Sequence, residues 1–338
     1  MKNFSRFFIF RTISLIPTVL GVLVITFLLS HVIPGNPALI LIGPEVNGAE
    51  LKVLENELGL NKPLYVQFYI YLAQLIHFNL GYSYILGHPV SYEIDNRFPV
   101  SFELAVATMV IGLPLGILLG IFAALRSNTY ADHVTRVGSL LGISLPVFWI
   151  EIVFILVFFS ELHVAPAPLG QLSPTLTPPP RITGMMILDS LLTGNITDFL
   201  NSLWHIILPA VSLSLAIIAT LSRVVRSSML DVLNKDYIRT AFAIGFPRNI
   251  LINKYALKNA LLPAITVAAI LTGGLMGGVV LTESVFSWPG LGLYAVNAIE
   301  ELDYPSVMGV VLVSGLLYVI VNFVADILYG YIDPRIRY

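Results

Sequence analysis

The chain carries, between two long apolar runs, the polar and basic segment Asp236-Tyr237-Ile238-Arg239-Thr240-Ala241-Phe242-Ala243-Ile244-Gly245-Phe246-Pro247. Residues 236–244 are predicted to form one short helix. Gly245 can adopt the left-handed conformation that ends a helix, and Pro247 can open the next helix at its first position. The segment therefore predicts a helical hairpin. Two interpretations stay open at this point: a contact surface for a soluble partner, or a solvated basic loop that only sets the topology.

The composition identifies the setting of this hairpin. The 338 residues are 57% apolar and only 11% charged, with a mean hydropathy of +0.86. Soluble domains carry about 25% charged residues, so the composition predicts an integral membrane protein with several spans. The chain has no cysteine, which excludes disulfides and thiolate metal sites. It also contains neither a G-x-x-x-x-G-K-[ST] phosphate loop nor an H-E-x-x-H zinc motif.

Apolar runs long enough to cross a bilayer occur six times, since a span needs about 20 helical residues. The sequence thus predicts an all-α membrane fold with six transmembrane helices. They cover approximately Thr12–Val32, Phe102–Leu125, Val137–Phe159, Ile206–Val225, Leu262–Leu281 and Val307–Tyr329.

The distribution of basic residues predicts the orientation. With the N-terminus inside, the inner segments hold fourteen of the 18 Lys and Arg residues, and the outer segments hold only Lys52, Lys62, Arg97 and Arg181. Because inner loops of membrane proteins are rich in Lys and Arg, both termini are expected in the cytoplasm of a multi-pass protein of the cell membrane.

The spans divide the chain into three parts. Residues 1–31 form the cytoplasmic N-terminal end and the first span, and residues 32–100 form a sizeable extracellular segment. Within that segment, helical patterns cover Glu50–Leu58 and Leu64–Phe78. Residues 101–338 form the transmembrane core, with a cytoplasmic loop at 226–259. The outer segment Ser160–Trp204 is rich in proline and is predicted to be a loop with at most one short helix.

Two acidic residues are candidates for a substrate pathway. Glu151 lies inside the third span, where a carboxylate is costly and should face protein or water. It is therefore either a substrate or ion contact, or a packed or interfacial acid. Glu283 lies at the outer mouth, where both roles are equally open. The repeat Gly112, Gly116 and Gly120 predicts close helix packing, either within the chain or against another membrane subunit.

The hairpin segment resembles the coupling segment of binding-protein-dependent ABC importers, in the form found in the dipeptide/oligopeptide permease group. Arg239-Thr240-Ala241 stand where many importers have Glu-Ala-Ala, Gly245 holds the glycine, and Leu257-Lys258 stand where others have leucine and proline. The outer run from Glu283 through Phe286, Trp288 and Pro289 to Gly292 is similar to a second motif of this group.

The resemblance implies a type I importer-like permease that is the first of two different permease subunits. It implies two ATPase subunits inside, which bind ATP and Mg, and a substrate-binding protein outside. This chain itself would hold no cofactor and have no enzymatic activity, and it would bind no nucleic acid. Its implied coupling residues are Asp236, Tyr237, Arg239, Thr240, Ala241, Gly245, Phe246 and Pro247. The implied contacts with the binding protein are Phe286, Trp288 and Pro289.

The substrate implied by the resemblance is a short peptide, or an oligosaccharide as in some archaeal members of the group. An ion-coupled secondary transporter is the alternative, although such proteins usually show repeated halves and broken helices at the midplane, and no repeat is evident in this sequence. A membrane-embedded enzyme is a third possibility, but Glu151 has no matching nucleophile or base in the spans.

Overall fold

The computed structural model describes residues 2–32, 52, 61–83 and 85–332. Part of the predicted extracellular segment, including all of the predicted Glu50–Leu58 helix except Lys52, lies outside the described residues. The helices of the described part are α1 (Lys2–Val32), α2 (Leu64–Ile76), α3 (Val90–Leu125), α4 (Tyr130–Ser144), α5 (Val147–Phe154), α6 (Met186–Leu192), α7 (Ile196–Leu233), α8 (Asp236–Ala243), α9 (Arg248–Ile250), α10 (Leu257–Val285), α11 (Leu291–Glu300) and α12 (Tyr304–Ile332). The strands β1 (Tyr82–Ser83) and β2 (His88–Pro89) form one short antiparallel pair.

Five described helical segments are long and apolar enough to span a membrane: Phe8–Leu29 within α1, Val90–Leu125, Ile196–Leu233, Arg248–Leu275 and Tyr304–Ile327. A sixth span results if α4 and α5, with the π-helical turn Ile155–Glu161 that follows α5, count as one bent pair. The all-α membrane fold is thus confirmed. The spans are longer than predicted, and α3 begins inside the segment assigned to the exterior.

The third predicted span, Val137–Phe159, is not one straight helix. Its two halves meet at an angle of 106°, and the break lies at Leu145 and Pro146. Leu145 has an extended backbone with ψ of 135°. The residue before a proline is pushed out of the helical region, because the proline ring clashes with its backbone. Pro146 therefore ends α4 and forms the N-cap of α5.

Helices α3 and α7 pack together along a stripe of glycines. A Cβ atom built on Gly112, Gly116 or Gly120 would lie 3.1, 3.0 or 2.6 Å from the nearest side-chain atom of α7. At Gly120 a side chain would force the two helices apart, and at Gly112 and Gly116 it would fit only if its neighbours shifted slightly, so the glycines allow this close approach. The structure thus places this glycine repeat in packing within the chain, the first of its two interpretations.

The helical bundle has two polar ends. At the first, called the hairpin end, α3 leads into α4 and α7 leads into α8. At the other, called the opposite end, the short helices α6 and α11 pack on the long ones. The apolar cluster near the opposite end includes Leu104, Leu213 and Trp288. The cluster near the hairpin end includes Val225, Met229 and Leu251.

Candidate functional site: a helical hairpin anchored in the bundle

The predicted hairpin is present at the junction of α7 and α10. Helix α8 ends at Ala243, and Gly245 follows in the left-handed region with φ of 85°. The Gly245 amide donates to the Phe242 carbonyl, and the Phe246 amide donates to the Ala241 carbonyl, both at 3.1 Å. These two bonds form a Schellman motif, which satisfies the last carbonyls of the helix. The glycine stop predicted from the sequence is therefore confirmed.

The second arm of the hairpin differs in detail from the prediction. Pro247 is the N-cap of α9 rather than its first helical residue, with ψ of 127°. Helix α9 continues through the π-helical turn Leu251–Ala256 into α10. The hairpin is thus covalently continuous with one spanning helix on each side, α7 before it and α10 after it.

Two buried side chains anchor the hairpin in the bundle. Ile238 of α8 is 4% exposed and Leu251 after α9 is 3% exposed. Both belong to one apolar cluster with Val225 and Met229 of α7 and with residues of α3 and α10. Interiors of this kind are close-packed and transmit displacement rather than absorb it. A force on the hairpin would therefore reach α7 and α10 directly.

The surface of the hairpin that points away from the bundle is apolar and exposed. Phe242, Ile244 and Phe246 are 64%, 70% and 40% exposed. Large apolar side chains grouped on an otherwise polar surface mark interaction sites. Beside them lies a cavity of about 450 Å³, whose lining includes Arg239 and Arg248. The arrangement combines an apolar tip with basic flanks, as a surface for an acidic or mixed partner would.

The structure places the predicted coupling residues on this hairpin, and their coupling role stays a prediction. Asp236 begins α8, Arg239 and Thr240 are exposed, and Ala241 is half-buried. The Tyr237 hydroxyl accepts a hydrogen bond of 3.2 Å from the Asn259 side chain. The predicted set omits Phe242 and Ile244. Their signal in the sequence was large apolar residues in a short segment flanked by charges.

An ion pair fastens α4 to α7 next to the hairpin. The Arg226 guanidinium donates to both oxygens of Asp132, with distances of 2.5 Å and 2.7 Å. The Asn128 amide donates to the same carboxylate at 3.0 Å. Asp132 is fully buried and the Arg226 side chain is 20% exposed. Such a two-pronged pair defines geometry as well as contributing energy, so it holds α4 at a defined position on α7.

At the opposite end, Glu283 caps a helix. It is fully buried and accepts hydrogen bonds from the Gly292 and Leu293 amides at 2.6 Å and 3.1 Å, and from the Ser101 hydroxyl at 2.5 Å. Those two amides belong to the first turn of α11, whose N–H groups have no partner within the helix. The geometry gives Glu283 a structural task, and its role on a substrate pathway stays a prediction.

Glu103 does the same for α6. Its carboxylate accepts from the Met186 and Ile187 amides at 3.1 Å and 2.8 Å, and from the Gln171 side chain at 3.0 Å. Glu103 and Glu283 stand on different long helices, so each ties one short helix of the opposite end to the bundle. Glu103 was not predicted from the sequence, because the two amides that it caps lie more than 80 residues away.

Asp189 of α6 organises the loop before that helix. Its oxygens accept from the Ile182, Thr183 and Gly184 amides at 2.7–3.1 Å, and from the Thr183 hydroxyl at 2.7 Å. Burial alone disfavours the charged carboxylate. These donors, the Thr183 hydroxyl first, outweigh burial and lower the pKa of Asp189 below its usual value. The proline-rich segment before α6 thus has a well-defined turn.

The residues predicted to meet a binding protein have different environments. Phe286 is 3% exposed and Trp288 is 1% exposed. The Trp288 indole N–H donates to the Val100 carbonyl at 3.3 Å, and its ring lies in the main apolar cluster. Pro289 is exposed. The two aromatic rings therefore hold the Pro–Gly turn on the bundle, and Pro289 is left as the surface residue. The contact with a binding protein remains a prediction.

Glu151 lies in α5 and is fully buried. Its Oε1 accepts from the Thr282 hydroxyl of α10 at 2.5 Å, whereas its Oε2 has no hydrogen-bond partner among the described residues. The contact links the bent span to α10, one residue before Glu283. The packed-acid interpretation fits this position, and a pathway role for Glu151 stays a prediction.

Two protein families match most of the chain. The family described as "Binding-protein-dependent transport system inner membrane component" matches residues 116–338, and its N-terminal companion family matches residues 4–105. The chain is 45% identical to the probable D,D-dipeptide transport system permease protein of Escherichia coli strain K12, over 96% of both chains.

Two further relatives are similar along nearly their whole length. The dipeptide transport system permease protein of Alkalihalophilus pseudofirmus is 38% identical over 97% of this chain and 98% of the relative. The glutathione transport system permease protein of Escherichia coli O6:H1 is 34% identical over 97% of both chains. The two family matches include the hairpin and both helix-capping glutamates, so this chain is a multi-pass membrane protein that belongs to the family of inner membrane components of binding-protein-dependent transport systems.

Proposed function

We propose that this chain is one of two different permease subunits of an ATP-driven peptide importer, and that its hairpin docks on an ATPase subunit. The observation that carries the proposal is the hairpin itself. Its tip exposes Phe242, Ile244 and Phe246, while its base is buried through Ile238 and Leu251. A surface that only set the topology would need neither an apolar tip nor an anchored base.

Coupling requires two states of the transporter whose balance both sites can shift. The hairpin is continuous with α7 and α10, so an ATPase that moved it would tilt both spans as levers. ATP and Mg would bind to the partner ATPases, and this chain would contribute no catalytic group. The basic residues of the hairpin end support its placement in the cytoplasm, together with both termini.

Peptides are the proposed substrate. The three relatives described above are permeases of D,D-dipeptide, dipeptide and glutathione transport systems, and all three substrates are short peptides or peptide-like. An oligosaccharide is the second candidate substrate and has no such support. In the proposed assembly, a substrate-binding protein delivers the peptide at the opposite end, where Pro289 is exposed.

The test is uptake by the co-expressed transporter, with the paired substitution Phe242→Asp/Phe246→Asp in this chain. Charge on the apolar tip should prevent burial against the ATPase, because an unpaired charge in an interface is costly. We expect peptide uptake and co-purification of the ATPase to fall at least tenfold, while membrane insertion is unchanged. The matched control is Tyr130→Asp, since Tyr130 is 85% exposed at the same end but lies off the hairpin.

Normal uptake by the paired variant would show that the hairpin tip is not the docking surface. Uptake that persists after ATP depletion but stops with an ionophore would favour the ion-coupled secondary transporter instead. Competition assays with dipeptides and oligosaccharides, run on the unmodified transporter, separate the two candidate substrates. If only the oligosaccharide competes, the peptide assignment is wrong while the docking assignment can still hold.

A further inference from the structure

A second polar feature lies at the hairpin end, away from the hairpin itself. It is a groove of about 190 Å³ between α4 and α7, here called the arginine groove. It is lined by Arg136 and Thr135 of α4 and by Arg223 and Arg226 of α7, with Ser139 and Ser222 between them. No acidic residue of the described chain lines it, and nothing in the coupling mechanism uses it.

The floor of the arginine groove is built from buried hydroxyls. Ser139 and Ser222 are 9% and 2% exposed, and their Oγ atoms lie 2.9 Å apart. The glycine of α4 next to this contact, Gly142, allows close approach, since a Cβ there would lie 2.9 Å from Ala219 of α7. The two helices therefore bring polar groups together at a defined separation, as binding sites for small polar groups require.

The walls carry unneutralised positive charge. Arg226 is held by Asp132, whose two oxygens are both occupied by that guanidinium. The Arg136 and Arg223 side chains are exposed, and within the described residues neither forms a hydrogen bond or a short ion pair, while Arg136 attracts Asp132 from a greater distance. Three guanidinium groups against one paired carboxylate leave an excess of about two positive charges, which suits an anion such as a phosphate group.

The position of the groove along α4 and α7 indicates which kind of phosphate group it binds. Arg136 is the last charged residue before the uncharged run 137–150, and Arg223 is the first after the uncharged run 206–222. Both arginines thus stand at the boundary between the polar and apolar parts of their helices, where lipid headgroups lie. Beside them on α4, Val137, Leu140 and Leu141 are 56%, 56% and 55% exposed and offer an apolar surface for acyl chains.

The volume of the groove is compatible with a phosphate headgroup. One water molecule occupies about 30 Å³ in the liquid, so the groove has room for several atoms of that size. Basic pockets between membrane helices on the cytoplasmic side are suited to anionic lipid headgroups. We propose that the arginine groove binds the phosphate of an anionic glycerophospholipid, held by Arg136 and Arg223 over the Ser139–Ser222 floor.

The experiment measures lipid retained by the purified full-length chain. The chain is reconstituted in mixed phosphatidylcholine and phosphatidylglycerol, re-extracted in detergent, and weighed intact by native mass spectrometry. The wild type should retain phosphatidylglycerol in preference to phosphatidylcholine. Arg136→Gln/Arg223→Gln should retain it about tenfold less, because each basic residue near a membrane surface adds appreciable attraction for anionic lipid.

A matched control separates the groove from general surface charge. Lys254→Gln/Lys258→Gln removes the same number of positive charges at the same end, from exposed positions outside the groove, and should leave retention unchanged. Arg136→Lys/Arg223→Lys keeps the charge and should restore part of the preference. Because lysine keeps a positive charge at both positions, the lysine variant should fold even if the glutamine variant does not. It therefore keeps the proposal testable in that case.

Three results would overturn the proposal. Equal retention by the wild type and the glutamine pair would show that the groove binds no lipid. If inorganic phosphate alone displaced the lipid and raised the melting temperature of the chain as much as the lipid does, free phosphate would be the ligand. Cross-links from position 136 to an acidic segment of another subunit in the assembled transporter would show that protein fills the groove.

Discussion

Replacing Gly120 by alanine should destabilise the bundle more than the same change at Gly116 or Gly112. The added Cβ would lie 2.6 Å from the Val225 Cβ and 2.7 Å from the Ser222 carbonyl oxygen. Neither neighbour is the end of a flexible side chain, so α3 and α7 themselves must move apart. At Gly116 and Gly112 the nearest atoms are 3.0 Å and 3.1 Å away, where smaller shifts suffice.

The magnitudes follow from two opposing effects. Glycine within a helix costs roughly 0.5–1 kcal/mol relative to alanine, so each substitution begins with that gain. Forcing a methyl group into filled space costs about 1–3 kcal/mol. For Gly120→Ala the second effect is at its upper end, which gives a net loss of about 2 kcal/mol. For Gly112→Ala the two effects nearly cancel.

Gly138→Ala is the matched control, because Gly138 is also helical and has nothing within 4 Å of its built Cβ. This variant should be slightly stabilised. The assay is thermal unfolding of each purified variant in the same detergent, followed by intrinsic fluorescence. We expect Gly120→Ala to melt roughly 4 °C below the wild type. A melting temperature for Gly120→Ala equal to that of Gly138→Ala, or an inverted order among the three stripe glycines, would refute the packing argument.

Three further predictions concern the polar contacts. Asp132→Asn should lower the free energy of unfolding by about 2 kcal/mol, because it leaves the charge of half-buried Arg226 unpaired. In thermal unfolding, adding Arg226→Gln should recover part of this loss. Losses of stability that simply add in the double variant would contradict the pairing. Glu103→Gln should speed hydrogen exchange at the start of α6 alone and Glu283→Gln at the start of α11 alone, since each loses charge-assisted bonds; faster exchange at both helices in either variant would argue against separate caps. Asp189→Asn should loosen residues 182–184 at neutral pH. Because the folded pKa of Asp189 is lowered, its contribution is complete above the unfolded pKa of about 3.9 and is lost as the pH falls through the folded value. Hydrogen exchange of the two proteins should therefore converge in acid, and a difference that persisted there would contradict the assignment.

Local chemistry is what the sequence revealed best. The stop at Gly245 depends only on a left-handed residue followed by proline, so the pattern predicted it without knowledge of the surroundings. The spans followed from length and hydropathy in the same way. The bend of 106° between α4 and α5 was missed, although Pro146 was visible, because a proline inside an apolar run can kink a helix slightly or end it, and neighbouring helices decide which.

Long-range partners account for most of the rest. From the sequence, Glu283 was predicted only as an acid at the outer end of a span. The sequence does not show that Ser101, 182 residues earlier, donates a hydrogen bond to it. Trp288 was expected at a contact with a binding protein, yet its ring is buried in the bundle and its indole N–H donates to Val100. No pattern within one segment reports which segment will pack on it. Predictions about exposure were therefore weaker than predictions about helix ends.

Helix α7 connects these observations into one mechanical element. It has 38 residues, about 57 Å at 1.5 Å per residue, and runs from the opposite end to the hairpin. Hydrogen bonds of 2.9 Å and 3.0 Å hold Asn201, near its start, to Ser173 of the proline-rich loop, and the Arg226–Asp132 ion pair holds its other end to α4. Pro209 is the one described position inside α7 that cannot donate a backbone hydrogen bond. If an ATPase moves the hairpin, α7 must either carry the displacement as a rigid helix to the proline-rich loop at the opposite end or bend at Pro209. Whether α7 bends at Pro209 therefore decides whether the two ends of the transporter move together.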